Sequence, residues 1–139
     1  MSLPPPGVYV GPAEGRALLL AEDNLDNAEI TCEILQMFGY RIAWARHGRE
    51  ALECAARLKP ELILMDWHMP ELDGVEATRL LKADPVLAPI PVIFVTAFAM
   101  DHEVRKCLES GAVAHVAKPV DFTALGEVIN RHLPAAGSR

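Results

Sequence analysis

Between residues 16 and 133, five short apolar runs alternate with segments whose apolar residues recur at helical spacing, and no other feature of the chain constrains its fold as strongly. Such an alternation is the pattern of βα units laid into a parallel sheet, with helices packed on its faces. The runs at 17–21, 41–45, 62–65, 90–95 and 113–117 are the expected strands. The first and third are unbroken apolar stretches, as strands buried on both faces require. The run at 41–45 is weaker and is the expected sheet edge. In the intervening helices, Ile30, Ile34, Met37 and Phe38 are expected on one face of the first, and Ala51, Ala55 and Leu58 on that of the second. Ala77, Leu80 and Leu81 mark the third, Met100, Val104, Cys107 and Leu108 the fourth, and Phe122, Leu125 and Ile129 the fifth. Gly39 and Gly111 stand where the first and fourth should stop.

The opening 1–15 is rich in Pro and Gly without a period and reads as an irregular leader or linker. Residues 134–139 read as a C-terminal tail, so the expected folded unit is 16–133, one domain with no room for an output module. A net charge of −6 argues against a nucleic-acid surface, which needs a basic face. No apolar run approaches membrane-span length, and no signal-like start is present. Cys32, Cys54 and Cys107 are odd in number and lack metal-ligand spacing, so they are expected as reduced thiols on or near buried helix faces of a cytoplasmic protein.

Polar residues stand at the carboxyl ends of four of the five runs: Glu22 and Asp23, then Asp66, Thr96 and Lys118. In an open parallel sheet, ligands bind in the crevice outside the strand carboxyl ends, so these residues are expected to converge. Three carboxylates at one mouth resist joint ionisation unless a cation joins them. A hard divalent ion such as Mg²⁺ suits that oxygen set and commonly brings a phosphate with it. Thr96 and Lys118 then supply the hydroxyl and ammonium needed by a transferring phosphoryl group. Asp66, ending the central strand between the acidic pair and the Thr/Lys pair, is the natural nucleophile. Each residue also has a plainer role taken alone: a helix-capping acid pair, a turn Asp, a strand-end hydroxyl, a solvated lysine. Together these would have to coincide at one edge of one sheet.

The motifs AEDN (21–24), LILMDWHMPELDG (62–74), PVIFVTAFA (91–99) and AKP (117–119) resemble, in order and spacing, the receiver domain of two-component response regulators. The resemblance implies a flavodoxin-like α/β three-layer sandwich with a five-stranded parallel sheet of order 2-1-3-4-5. It implies that Asp66 accepts a phosphoryl group from a phosphohistidine of a sensor histidine kinase or histidine phosphotransfer protein. Asp23 and Asp66 match direct Mg²⁺ ligands, His68 would offer its backbone carbonyl, and Glu22 matches the acid that holds metal-bound water. Thr96 and Lys118 match the phosphoryl-binding pair, and Lys118-Pro119 resembles the family's cis peptide. Residues 21–30 and 65–82 look more like receivers of hybrid kinases and phosphorelays.

Two positions depart from the family pattern. His115, three residues before Lys118, replaces the usual Tyr or Phe, and is either a half-buried residue of the last strand or a switch whose ring swings toward Thr96 on phosphorylation. His68 and Phe98, two beyond Asp66 and Thr96, flank the path of a hydrolytic water, and a Phe98 that cannot orient that water predicts slow self-dephosphorylation. The resemblance places the readout on the fourth helix, fifth strand and fifth helix, and the phosphodonor on the first helix near Asn24 and Asn27; a homodimer stays open. A haloacid-dehalogenase-like phosphatase wants a carboxylate where His68 stands, and a flavodoxin would be repelled by Glu22 and Asp23. A phosphorylation-independent protein-binding module of the same fold remains the alternative.

Overall fold

A computed structural model describes residues 3–134. The chain alternates β1 (Ala17–Ala21), α1 (Leu25–Met37), β2 (Arg41–Ala45), α2 (Gly48–Leu58), β3 (Leu62–Met65), α3 (Gly74–Ala83), β4 (Val92–Thr96), α4 (Asp101–Glu109), β5 (Ala114–Ala117) and α5 (Phe122–His132). The strands form one parallel sheet of order β2-β1-β3-β4-β5, as the receiver-domain resemblance implies.

Side chains alternate across the sheet and build a core on each face. Leu19, Ala21, Ile63, Met65 and Phe94 pack toward α2, α3 and α4, where they meet Ala51, Ala55, Ala77, Leu81 and Cys107. Leu18, Leu20, Leu62, Leu64, Ile93 and Trp44 pack the other way, against Ala28, Cys32 and Leu35 of α1 and Leu125 and Ile129 of α5. Helix starts are capped locally. Asn24 Oδ1 accepts from Asn27 N at 2.9 Å, Asp73 Oδ1 from Glu76 N at 2.8 Å and Asp121 Oδ1 from Ala124 N at 3.1 Å. Each cap satisfies an N–H that the first helical turn leaves unpaired.

The ladder also sets the level of the strand ends. Ala21 pairs with Ala45 on one side and Met65 on the other, so Glu22 and Asp66 leave the sheet side by side. Thr96 pairs with Ala117, which brings Lys118 up beside it.

Several sequence expectations need correction. The buried face of α1 is Ala28, Cys32 and Leu35, whereas Ile30, Met37 and Phe38 are exposed, Met37 at 80%. Both stripes have helical spacing, but only the small one lets the helix backbone approach a sheet already filled by Leu18, Leu20 and Trp44. Leu80 of α3 and Met100 and Leu108 at α4 also face outward, while Leu81 and Cys107 are buried. The fourth strand begins at Val92 instead of residue 90, because Ile90 N donates to Leu87 O at 3.0 Å and closes a turn, and Pro91 has no N–H. The fifth begins at Ala114, not 113. The leader is not irregular throughout: Val10 bridges Ile42 in antiparallel sense, so the β2 edge is partly covered. Cys32, Cys54 and Cys107 are free and buried, and burial pushes the Cys32 thiol up to about 12 and Cys107 to about 11. The tail expected at 134–139 lies, beyond Pro134, outside the described residues.

Candidate functional site

Carboxylate oxygens of Glu22, Asp23 and Asp66 lie within 4.8 Å of one another at the carboxyl edge of the sheet. Glu22 is buried, Asp66 half-buried and Asp23 exposed, so the cluster runs from the interior to solvent. Glu22 is held on every side. Its N–H donates to Ala45 O at 3.0 Å, and its carbonyl accepts from Trp44 Nε1 at 2.8 Å. Its carboxylate takes Asn24 N at 3.2 Å and Lys118 Nζ at 2.6 Å. Asp66 is anchored through its own N–H to Ala21 O at 3.0 Å, and its Oδ1 accepts from Trp67 N at 2.7 Å. Lys118 Nζ reaches Asp66 Oδ2 at 3.1 Å as well, so the ammonium sits between two of the three acids.

The electrostatics follow from this crowding. Burial, reinforced by the charge of Asp66 and opposed by Lys118, pushes the Glu22 carboxyl up to about 7. Burial alone would favour a neutral Lys118, but the Glu22 hydrogen bond and the charges of Asp66 and Glu22 outweigh it and hold the ammonium above its ordinary value. Three carboxylates facing one ammonium leave the cluster short of positive charge. An all-oxygen, half-open donor set of that charge fits a hard divalent cation that retains some of its water.

Thr96 is fully buried at the end of β4, and its Oγ1 accepts from Phe98 N at 3.3 Å. Lys118 N donates to Thr96 O at 3.0 Å, which ties the two strand ends together, and the Lys118-Pro119 bond is cis. His68 stacks on Trp67 with ring centroids 5.2 Å apart and meets the Phe98 ring at 4.2 Å. These rings make an aromatic rim beside Asp66. His115 lies on that side too, its Nε2 donating to Phe98 O at 2.9 Å.

A profile of the response regulator receiver domain matches residues 18–130. The chain belongs to this family of two-component signalling domains. This receiver domain is 37% identical over 118 residues to the polar-differentiation response regulator DivK of Brucella anthropi, across 85% of this chain and 96% of that protein. The signal receiver domain of a Syntrophus aciditrophicus signal transduction histidine kinase superposes with a TM-score of 0.82 at 34% identity, over 90% of this chain and 95% of that one. A second similar structure is the receiver domain of a Pseudomonas aeruginosa sensor histidine kinase, described with a magnesium ion coordinated in its active-site cleft. Its TM-score is 0.79 at 34% identity, covering 84% of this receiver domain and 96% of that chain. No described helix is long and apolar enough to cross a membrane.

Of the residues expected at the strand ends, Glu22, Asp23 and Asp66 come together and Lys118 reaches Glu22 and Asp66, whereas the Thr96 hydroxyl is engaged by Phe98 N and bonds to none of them. Sequence reading passed over Trp44, whose indole holds the Glu22 carbonyl, and gave Asn24 only a docking role, whereas its N–H reaches the Glu22 carboxylate. Nothing in the spacing of Trp44 announces this, because the contact depends on the β1–β2 register.

Proposed function

We propose that this receiver domain takes a phosphoryl group onto Asp66 from a phosphohistidine of a sensor histidine kinase or histidine phosphotransfer protein. The observation that carries the reading is the joint placement of a buried-to-exposed carboxylate cluster and Lys118 around one half-buried Asp. The Asp66 carboxylate attacks phosphorus, the N–P bond of the donor breaks, and the imidazole leaves with the electron pair, giving an acyl phosphate. Bound Mg²⁺ would neutralise charge on the phosphoryl oxygens; Asp23, Asp66 and the His68 carbonyl would hold it, with Glu22 acting through a bound water. Lys118 keeps its proton and moves from pairing with Asp66 to pairing with a phosphoryl oxygen. Thr96 gives its hydroxyl to another and draws the segment after β4 inward. The chain thus catalyses only its own phosphoryl transfer and loss.

Residues 16–133 form the receiver unit in this reading, between a leader (1–15) and a tail (134–139). The donor docks at α1 near Asn24 and Asn27. A downstream protein partner reads α4, β5 and α5, where Met100 and Leu108 are exposed. His115 and Thr96 form the switch, and His68 and Phe98 set the lifetime of the acyl phosphate. The test is incubation with acetyl phosphate or beryllofluoride, with and without Mg²⁺, read by intact mass and Trp67 fluorescence. A stoichiometric, Mg²⁺-dependent signal lost in Asp66→Asn supports the reading. Absence of any signal would move the protein to phosphorylation-independent binding.

A further inference from the structure

Residues 7–10 run along the outer edge of β2. Val10 N donates to Ile42 O and Ile42 N to Val10 O, both at 2.9 Å, and Gly7 N donates to Trp44 O at 2.8 Å. Arg57 Nη2 donates to Gly7 O at 3.0 Å. Gly7 has φ +78°, and a Cβ there would stand 2.2 Å from Arg57 Nη2, so the segment is shaped to its seat. An uncovered edge strand presents a row of unpaired backbone groups. Here the chain covers its own.

Trp44 belongs to both this edge and the acidic site. Its backbone carbonyl takes the Gly7 amide, and its buried indole donates to Glu22 O at 2.8 Å. The neighbouring Ala45 carbonyl takes the Glu22 N–H at 3.0 Å. Both backbone groups of Glu22 therefore rest on β2, and β2 is braced from outside by the 7–10 strap. We infer that the strap supports the acidic site: its docking steadies β2, and Trp44 is the positioning residue that transmits this to Glu22 and so to Mg²⁺ affinity. The inference rests on the Mg²⁺ site proposed above. Linkage makes it reciprocal, so Mg²⁺ must tighten the strap by the factor by which the strap tightens Mg²⁺.

The test titrates Mg²⁺ alone into the full chain, following the Trp67 amide by NMR for occupancy and hydrogen exchange at the Ile42 amide for strap docking. Val10→Pro removes the N–H given to Ile42 and should weaken Mg²⁺ binding about fivefold, within the usual range of coupling between sites. Trp44→Phe keeps an aromatic ring in the core, removes the indole N–H and should weaken binding about tenfold, as loss of a partner that orients a ligand does. With Phe at 44 the strap has lost its route, so adding Val10→Pro should change affinity by less than about twofold. Mg²⁺ should also slow exchange at Ile42 in the unaltered chain. The inference is overturned if Val10→Pro exposes Ile42 with Mg²⁺ affinity unchanged, or weakens binding equally with Trp or Phe at 44. An unaltered chain that binds no Mg²⁺ overturns both this inference and the proposed function; binding indifferent to the strap overturns the inference alone.

Discussion

Gly74→Ala tests how tightly the acceptor is tied to the core. Gly74 opens α3, its N–H donating to Trp67 O at 2.6 Å and its carbonyl accepting from Thr78 Oγ1 at 2.7 Å. A Cβ at this position would lie 2.0 Å from Asp66 O and 2.9 Å from Met65 Cγ. Reaching ordinary contact at 3.4 Å means moving α3 or the Asp66 peptide by roughly 1.4 Å. Neither yields freely, because Asp66 N is bonded to Ala21 O and Met65 is fully buried. Overpacking of this kind costs about 2–3 kcal/mol, which at the slope of a domain this size lowers the urea midpoint by roughly 1–2 M. Gly126→Ala is the control. Its Cβ would meet only the rim of the Phe38 ring, at 3.3 and 3.4 Å, and α5 gains up to about 0.8 kcal/mol of helix propensity. Urea unfolding of both variants checks the argument, with the Trp67 amide shift on Mg²⁺ addition reporting the site. The reasoning is refuted if Gly74→Ala unfolds at the urea concentration of the unaltered chain, or if Gly126→Ala is equally damaging.

Further outcomes follow from the same structure. Because burial raises Glu22 from 4.5 to about 7, the folded chain without Mg²⁺ holds a proton that the unfolded chain releases, so this group's contribution to stability falls as pH rises from about 4.5 to 7. Mg²⁺ competes with that proton, so its affinity should rise about tenfold from pH 6 to 8 and lose most of this dependence in Glu22→Gln; a flat profile in the unaltered chain contradicts the account. Leu35→Ala should lose about 2–5 kcal/mol in denaturant unfolding, whereas Met37→Ala should stay within roughly 0.5 kcal/mol; the reverse order would restore the α1 face read from sequence. Phe98→Glu places an acceptor where the aromatic rim stands and should speed loss of the acyl phosphate, measured by intact mass over time. An unchanged or longer lifetime would remove Phe98 from that role.

What was legible in the sequence depended on whether the signal was local. Strands such as Ala17–Ala21 and Leu62–Met65 are buried on both faces, so an unbroken apolar run identifies them without knowledge of their neighbours. Five such runs in alternation sufficed for a parallel sheet, whose strand order came from the resemblance, and polar residues at their carboxyl ends sufficed to bring Glu22, Asp23, Asp66 and Lys118 together. The face of α1 was misread because two apolar stripes share one period, and the choice between Ala28–Cys32–Leu35 and Ile30–Ile34–Met37 rests on how much bulk the sheet already carries. The strap was missed because Pro and Gly hide an edge pairing only a few residues long. Trp44 is a tertiary fact entirely: its role exists only once β2 lies beside β1.

The most direct test is to locate the phosphoryl group. The chain is incubated with acetyl phosphate and Mg²⁺, digested, and mapped by tandem mass spectrometry, with a chelated sample alongside. The account predicts one phosphoryl group, confined to the peptide containing Asp66 and absent when Mg²⁺ is removed. A phosphoryl group on any other residue, or one that forms equally without Mg²⁺, would contradict it.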